Sequence, residues 1–422
     1  MSSNVWLRAG GIGRTVAEQV YVHPIDPVVV VSVRPDRRWE RRPRCGICCQ
    51  GAPLYDRGRR RRWRSLDHGV LKVFLEAELP RVSCPVHGVV IAAVPWARHD
   101  AGHTRAFDEV VAWFALAAPK SVISTLLRIN WHTVGAILAR VMPDRDAEDG
   151  DRLDGIRRIG IDEVSFKKGQ RYLTIVVDHD SGRLLFVTEG RSKDSVRRFF
   201  DALGPQRSRQ VTHVSADGAA WIAPVLAERC PNAAVCLDPF HVVKWATDAL
   251  DQVRRQVWND ARAAGMREHA RALKDSRYAL WKNPGDLTRR QQAKLSIIQA
   301  TNKPLYRAYL LKEQLRAVFT PGGPERIGLL DAWLAWASRS RLAPFVELAR
   351  TIRPRRAEIA NTLAYGLSNG RIESMNQKIR LIIRRAYGFR STPALIAITR
   401  LCLAGYARPL PGRAGLWRSG RV

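Results

Sequence analysis

RRIGIDEVSF (157–166) and RYLTIVV (171–177) have the β-branched, partly alternating apolar pattern of two β-strands. The turn sequence DHDSG (178–182) follows the second stretch and leads into a third apolar run at 183–188. Because each connection is short, the three segments predict an antiparallel meander. We expect the central part of the chain to be built on this sheet.

Helical and strand patterns alternate after the meander. Helices are predicted at 195–203 and 221–229, and short strands at 211–215 and 234–237. The order β-β-β-α-β-α-β, with acidic residues at strand ends, is typical of ribonuclease-H-like folds. The sequence therefore predicts an α/β core of this type.

Two aspartates occupy strands of the predicted sheet. Asp162 lies within the first strand and Asp217 at the end of the fourth, so both could bind Mg²⁺ or Mn²⁺, which prefer oxygen ligands. Glu163 follows directly, but strand alternation predicts that its side chain points to the opposite face. A two-metal site for phosphodiester chemistry requires a further carboxylate, because both the attacking and the leaving oxygen must be stabilised.

The best candidate for that carboxylate lies in NGRIESMNQKIRLIIRRAY (369–387). Apolar residues recur there at helical spacing, and a second stripe of the same helix contains Glu373, Asn376, Gln377, Arg380 and Arg384. An acid beside a metal, with amide and guanidinium groups along one face, suits a bound phosphodiester backbone. The alternative is a solvated helix face with a glutamate near the helix N-terminus.

Further polar residues follow the strands of the core. Asp238 and His241 come after the last predicted strand, where they could support the metal ligands or simply begin a helix. Asp178 and Asp180 are predicted to form a turn and not to bind metal.

Two pairs of metal-binding residue types occur near the N-terminus, and two residues separate the members of each pair. This spacing lets a tight turn present two ligands to a tetrahedral Zn²⁺. A structural zinc ion is therefore predicted to bind Cys45, Cys48, Cys84 and His87. The separation of the pairs exceeds the usual spacing, and Cys49 could replace Cys48. The alternative is a set of small buried cysteines with His87 in a turn.

The chain is strongly basic. It has 70 Lys and Arg against 39 Asp and Glu in 422 residues, which gives a formal net charge of +31. Such an excess attracts nucleic acid, although a solvated basic surface is the alternative. An apolar fraction of 46% with 13 Trp excludes a disordered basic tail. The densest run, predicted to grip DNA phosphates, is Arg59, Arg60, Arg61 and Arg62, with Trp39 and Trp63 available to stack on bases.

Residues 101–143 have helical apolar spacing in three segments. A turn at 128–130 between the second and third segments is typical of a helix-turn-helix, although three small helices also occur as plain packing modules. Outward side chains of the third helix are predicted to contact DNA, namely Trp131, His132, Thr133 and Arg140.

In their order, these motifs resemble the ISL3 family of bacterial insertion-sequence transposases. The motifs are GIDE (160–163), SAD (215–217), DPFH (238–241) and SNGRIESMN (368–376), after the two Cys/His pairs and the three helices. The resemblance covers nearly the whole chain and implies a DDE triad at Asp162, Asp217 and Glu373. It also implies that residues 244–360 are a helical insertion, and that Asp238 and His241 correspond to a C/D-x-x-H motif. His87 departs from the family pattern, which has Cys at the fourth zinc position.

The organisation predicted along the chain has six segments. A zinc-binding, Arg-rich β module (1–100) and the helix-turn-helix (101–143) precede an acidic linker at 142–155. The first part of the core (150–243), the helical insertion (244–360), the helices with Glu373 (361–407) and a loose basic tail (408–422) follow. No apolar run reaches the roughly 20 residues of a membrane span. Seven Cys are too few for a disulfide scaffold, so we expect a bacterial cytoplasmic, nucleoid-associated protein.

Together these features predict a transposase. It would bind the terminal inverted repeats of its insertion sequence, cleave the ends by hydrolysis with two Mg²⁺ or Mn²⁺, and join the 3′-hydroxyl to target DNA. Two ends must be paired, so a homodimer or larger assembly is expected. The alternatives are a DNA-binding regulator without catalysis, a ribonuclease-H-like nuclease without strand transfer, and an inactive copy. Inverted repeats close to the gene would favour the transposase.

Overall fold

The computed structural model describes residues 7, 12–219, 221–320, 323–367, 369–386, 388–389, 391–407 and 411. The chain divides into two compact units, Met1–Arg152 with Arg380–Val422 and Leu153–Ile379. The predicted loose tail lies outside the described residues, except for Pro411.

The described strands form two five-stranded sheets. The first sheet contains β1 (Thr15–Val22), β2 (Val28–Pro35), β3 (Leu54–Arg64), β4 (Lys72–Cys84) and β5 (Gly88–Ile91). The second sheet contains β6 (Arg158–Lys167), β7 (Arg171–Asp178), β8 (Leu184–Glu189), β9 (His213–Ala216) and β10 (Ala234–Leu237).

The helices that precede β10 along the chain are α1 (Arg37–Glu40), α2 (Arg105–Ala115), α3 (Lys120–Leu127), α4 (Trp131–Asp149), α5 (Lys193–Leu203), α6 (Pro205–Ser208) and α7 (Ile222–Arg229). After β10 come α8 (Pro239–Ala263), α9 (Arg267–Asp275), α10 (Arg277–Trp281), α11 (Arg289–Thr301), α12 (Lys303–Val318), α13 (Ile327–Ser338), α14 (Ala343–Ile352), α15 (Arg356–Tyr365), α16 (Gly370–Arg385) and α17 (Thr392–Leu403). Across the described ranges, no single helix is long and apolar enough to cross a membrane.

The first sheet has the strand order β1-β2-β4-β3, with β5 added to β4. β2 and β4 pair in parallel, and the other neighbours are antiparallel. Every second residue of β2 and β4 is buried in one core, which contains Val29, Val31, Val33, Val73, Leu75 and Ala77. This period of two is what a sheet with one buried face requires, so the N-terminal module is β-rich as predicted.

The three predicted helices of the first unit are α2, α3 and α4. Side-chain oxygens of Thr104 and Asn130 cap α2 and α4, and Arg128, with φ at 54°, ends α3. α3 and α4 are bent by 102° relative to each other, which is the angle expected of a helix-turn-helix. The C-terminal helix α17 packs against α4.

The acidic run after the helix-turn-helix is not a linker over residues 142–149, because α4 continues to Asp149. Its acids neutralise arginines of the same unit. Asp144 accepts hydrogen bonds from Arg98 at 2.7 Å and from Arg105 at 3.0 Å. Ion pairing therefore explains the acidic composition of a stretch that was predicted to be a linker.

The second sheet has the order β10-β9-β6-β7-β8. β6, β7 and β8 form the predicted antiparallel meander, and β9 and β10 run parallel to β6. Phe199 and Phe200 of α5 and Val225 of α7 belong to the hydrophobic core that these helices form with the sheet. The predicted order of strands and helices is confirmed, and the acids at the strand ends are thereby fixed on neighbouring strands.

Residues from Pro239 to Tyr365 are mostly helical. Trp333 is fully buried in their common core, and its indole N–H donates to the Leu311 carbonyl at 2.8 Å. α15 returns to the second sheet, where the Thr362 hydroxyl donates to the Leu237 carbonyl of β10 at 2.8 Å. This packing brings the chain back to the sheet before α16 begins.

Candidate metal centres and nucleic-acid interface

Three carboxylates of the second unit converge at one end of the sheet. Asp162 and Glu163 lie on β6, and Asp217 directly follows β9. Each of the three offers an oxygen atom within 4.8 Å of the others. Hard oxygen ligands at this spacing are what Mg²⁺ or Mn²⁺ binds.

The expectation that Glu163 points away from this site is wrong. The ladder between β6 and β9 ends at the pair Ile161 and Ala216, so Asp217 lies beyond the last paired residue of β9. Past the end of a neighbouring strand, side chains from both faces of β6 can approach the same point. Successive β6 side chains still alternate, but without β9 beside them no backbone separates the two faces on that side.

Glu163 is held in a closed environment. Its side chain is 4% exposed, the Trp221 indole N–H donates to it at 3.2 Å, and the Arg191 guanidinium lies 3.7 Å away. Burial raises the pKa of Glu163 to about 7, and the negative charge of Asp217 adds to this rise. A cation at the site would remove the electrostatic cost of ionising Glu163.

Asp162 is fixed by two hydrogen bonds. The backbone N–H of Glu163 donates to its Oδ1 at 2.7 Å, and the Asn376 amide donates to its Oδ2 at 2.8 Å. Burial raises the pKa of Asp162, and the Asp217 charge acts in the same direction. Both hydrogen bonds and the nearby His241 act in the opposite direction.

α16 reaches this site through its first turns. Ile372 packs against Gly160 of β6 so closely that a Cβ at Gly160 would lie 2.1 Å from the Ile372 Cδ1. Asn376 is buried, whereas Glu373, one turn earlier, is exposed and lies outside the group of three carboxylates. Gly160 was not singled out from the sequence, although it has no room for a side chain. The remaining predicted residues of α16, Arg380 and Arg384, are exposed.

Asp238 begins a helix, as one of the two sequence interpretations proposed, and it also contacts His241. Asp238 caps α8 by accepting the Phe240 N–H, and it also accepts a hydrogen bond from His241 Nδ1 at 2.7 Å. That hydrogen bond raises the pKa of His241, and the charges of Asp238, Asp217 and Asp162 raise it further. A protonated His241 thus adds positive charge beside the two ligand aspartates.

The predicted turn residues are confirmed. The Asp178 carboxylate accepts the backbone N–H groups of Asp180 and Ser181, at 3.0 and 3.1 Å. These contacts close the turn between β7 and β8 and leave the carboxylate of Asp178 engaged with the turn itself.

The two Cys/His pairs form one cluster. Sulfur and nitrogen atoms of Cys45, Cys48, Cys84 and His87 lie within 4.8 Å of one another. Distances of 3.6 Å (Cys84 Sγ to His87 Nδ1) and 3.8 Å (Cys48 Sγ to Cys84 Sγ) match the edges of a tetrahedron around Zn²⁺, about 3.8 Å for two sulfur ligands. Cys49 is exposed and lies outside the cluster, so it does not compete for the metal.

The arginine run of β3 divides by strand alternation. Arg60 and Arg62 both pair with Glu76 of β4, at 3.2 and 2.7 Å. Arg61 points elsewhere and donates to the Ala101 carbonyl at 3.0 Å, while Arg59 is exposed and forms no ion pair with a described residue. The four arginines are therefore not equivalent phosphate contacts.

Aromatic stacking on bases is not available to Trp63. This side chain is 2% exposed and packs edge-on against Trp96 at 5.4 Å. Trp39 is half-buried, and its indole N–H donates to the Ala93 carbonyl at 3.0 Å. Beside these rings lies a cleft of about 410 Å³ whose basic lining includes Arg14, Arg38, Arg42, Arg44 and Arg61.

The third helix of the helix-turn-helix presents fewer side chains than predicted. His132 is exposed and stacks on Trp131, which is half-buried like Thr133. Arg140 does not point outward, because its Nε lies 3.3 Å from the fully buried Asp108 of α2. A buried carboxylate needs a cation, and this need determines the direction of Arg140.

Comparisons with known proteins agree along the chain. The transposase domain model of the ISL3 family matches residues 159–399. The helix-turn-helix domain of transposase family ISL3 matches 92–142, and the zinc-finger of transposase IS204/IS1001/IS1096/IS1165 matches 41–87. The transposase for insertion sequence element IS1557 of Mycobacterium tuberculosis is 54% identical over 95% of each chain. The transposase for insertion sequence element IS1001 of Bordetella parapertussis is 28% identical over 68% of this chain and 70% of its own length.

Proposed function

The chain belongs to the ISL3 family of transposases, and we propose that it cleaves the ends of its own insertion sequence and joins the exposed 3′-hydroxyl to target DNA. The observation that carries this proposal is the convergence of Asp162, Glu163 and Asp217 at the end of the β6–β9 ladder. Family membership implies chemistry on DNA. Such chemistry uses metal ions, and a group of converging carboxylates is where these ions would bind.

The second sheet supports a ribonuclease-H-like core. Three antiparallel strands followed by two parallel ones, with α5 and α7 between them, have the order that the sequence predicts for this fold. In this interpretation the helices α8 to α15 are an insertion between β10 and α16. Their return to β10 through Thr362 is consistent with an excursion that leaves the core and comes back.

Asp162, Asp217 and Glu373 would hold two divalent metal ions. Asp162 and Asp217 fit such ions, because their oxygen atoms are close together and the buried Asn376 Oδ1 has no hydrogen-bond partner among the described residues. Glu373 lies one turn before Asn376 on the helix that packs against β6. Mg²⁺ or Mn²⁺ at this site would activate water and stabilise the negative charge that develops in the transition state of phosphodiester cleavage.

The chain's own groups orient this site. Asn376 holds one oxygen of Asp162, and the Glu163 backbone N–H holds the other. Asp238 accepts a hydrogen bond from Nδ1 of His241, and a positive charge on His241 would favour the ionised form of Asp162. These contacts fix the ligands before DNA arrives, which lowers the entropic cost of reaching the reactive geometry.

DNA binding would use the first unit. The zinc cluster and the helix-turn-helix would recognise the terminal inverted repeats, with Trp131, His132 and Thr133 nearest the base edges. Unpaired arginines such as Arg59 would contact phosphates, and the exposed Arg380 and Arg384 of α16 would follow the DNA strand. The buried Asn376 is engaged with Asp162 and is not proposed as a DNA contact. Since two ends must be joined in one event, we expect a homodimer or a larger assembly on DNA.

Strand transfer distinguishes a transposase from a nuclease with the same core. We would incubate the protein with a pre-cleaved, labelled end of the insertion sequence, a supercoiled plasmid and Mn²⁺. Wild type should join the label to the plasmid, and Asp217→Asn should not. Cutting without joining would favour the nuclease, and end binding that is indifferent to metal, with neither reaction, would favour the regulator.

A further inference from the structure

Glu163 is not part of the triad that the family resemblance implies, yet other residues enclose its side chain almost completely. It lies with Asp162 and Asp217, each offering an oxygen within 4.8 Å of the others. We propose that Glu163 is an additional metal-binding carboxylate of this site, and that Trp221 is the positioning residue that aims it. This inference rests on the proposed function and adds a ligand to the same metal centre.

Glu163 is held in place by a set of packed side chains. The Arg191 guanidinium lies over the rings of Tyr172 and Trp221, at 5.0 and 4.9 Å from their centroids. The Trp221 indole N–H in turn donates to Glu163 Oε1 at 3.2 Å. A carboxylate held by an indole whose ring is itself packed has little rotational freedom, which is the property that a metal ligand needs.

The loop that carries Arg191 is also anchored. Gly190 has a φ of 121°, donates its N–H to the Tyr172 carbonyl at 2.9 Å and accepts the Thr174 hydroxyl at 2.8 Å. The next helix begins with a capping box in which Ser192 and Ser195 satisfy each other. The position of Arg191 is thus set by backbone hydrogen bonds on both sides.

Glu163 also lacks full charge compensation from the protein. Only one of its oxygens accepts a hydrogen bond from Trp221, and the Arg191 Nε is 3.7 Å from the other, which is too far for a hydrogen bond. Two further carboxylates converge on the same point. Partly buried carboxylates of this kind either take up a proton or hold a cation between them, and a divalent metal supplies more charge than one distant guanidinium.

Asn376 has a buried oxygen without a hydrogen-bond partner among the described residues. Asn376 is only 5% exposed, and its amide nitrogen donates a hydrogen bond to Asp162. Its Oδ1 accepts no hydrogen bond from any described residue. An unsatisfied amide oxygen beside three carboxylates points to a bound cation, because such an oxygen is itself a good ligand for Mg²⁺ and Mn²⁺.

The test is the binding of Mn²⁺ by the full-length protein without DNA, measured by titration calorimetry. Glu163→Gln keeps the shape of the side chain but should weaken Mn²⁺ binding by more than about tenfold. Trp221→Phe, which replaces the indole and its N–H donor by a smaller phenyl ring, should weaken it by about tenfold. Glu189→Gln is the matched control, since this glutamate of β8 is partly exposed and lies outside the carboxylate group. Glu189→Gln should bind Mn²⁺ as wild type does.

Two outcomes separate this inference from the proposed function. If Glu163→Gln binds Mn²⁺ as tightly as wild type while Asp217→Asn does not, Glu163 is not a ligand and the proposed metal site stands. If wild type itself binds no Mn²⁺, both fail. Thermal melting of each variant checks folding, and a rise in melting temperature with Mn²⁺ in wild type, absent in Glu163→Gln, gives a second readout in support.

Discussion

The two five-stranded sheets of this chain carry charged residues in opposite ways. In the first sheet, the exposed Arg60 and Arg62 share Glu76 on the next strand, and solvent screens what remains. In the second, the side chain of Glu163 is 4% exposed and converges with two aspartates. Exposed charges have little effect on the free energy of unfolding. Charges of the same sign that are brought together away from solvent lower it. The difference supports the proposal that the first sheet contacts a polyanion and the second holds a cation.

The largest effect is expected from breaking the first sheet's zinc cluster. Cys84 ends β4 and is buried, so Cys84→Ser should lose the bound zinc and weaken binding to the terminal repeats by about 100-fold. Zinc content by mass spectrometry and a mobility shift measure the two effects. Cys49→Ser is the matched control and should retain both properties. Equal zinc content in the two variants would contradict the cluster.

A pH experiment sharpens the contrast, because the surroundings of His103 in the first unit disfavour protonation of this histidine. Burial lowers the pKa of His103 to about 4, and the charges of Arg140 and Arg64 lower it further. Between pH 6.5 and 4 the unfolded chain therefore binds more protons, so the free energy of unfolding should fall as the pH falls, by up to about 3 kcal/mol.

His103→Phe isolates this contribution. The imidazole stacks on Phe107 with ring centroids 5.0 Å apart, so a phenyl ring can occupy the same space without titrating. Urea unfolding at pH 7 and pH 4.5 should show a smaller loss of stability in the variant than in wild type. The same loss in both proteins would mean that His103 is protonated in the folded state.

How far the sequence predicts this molecule depends on whether a pattern is local. The meander and the zinc cluster follow from alternation, turns and two-residue spacing, all of which are properties of neighbouring residues. The direction of Glu163 depends on where β9 stops pairing, at Ala216. The direction of Arg140 depends on Asp108, which comes from another helix. Neither partner can be identified from spacing along one element.

The smallest effect concerns which arginines bind DNA. Arg42 and Arg59 are exposed and form no ion pair with described residues, so Arg42→Ala with Arg59→Ala should weaken binding by about tenfold and reduce the salt dependence by about one unit per phosphate contact. Fluorescence anisotropy at several salt concentrations measures both.

The matched control is the pair Arg60→Ala and Arg62→Ala. Glu76 already partners these arginines, so their loss should leave the salt slope nearly unchanged. If the control pair lowers the slope as much as the other pair, the distinction between ion-paired and unpaired arginines does not govern DNA contact.

The central claim is that binding belongs to one sheet and chemistry to the other. The most direct measurement uses labelled DNA carrying the element's own terminal repeat with Mn²⁺, and records bound and nicked fractions for wild type and Asp217→Asn. The account predicts equal binding, with nicking at the repeat boundary by wild type alone. Nicking by Asp217→Asn at the wild-type rate would contradict it.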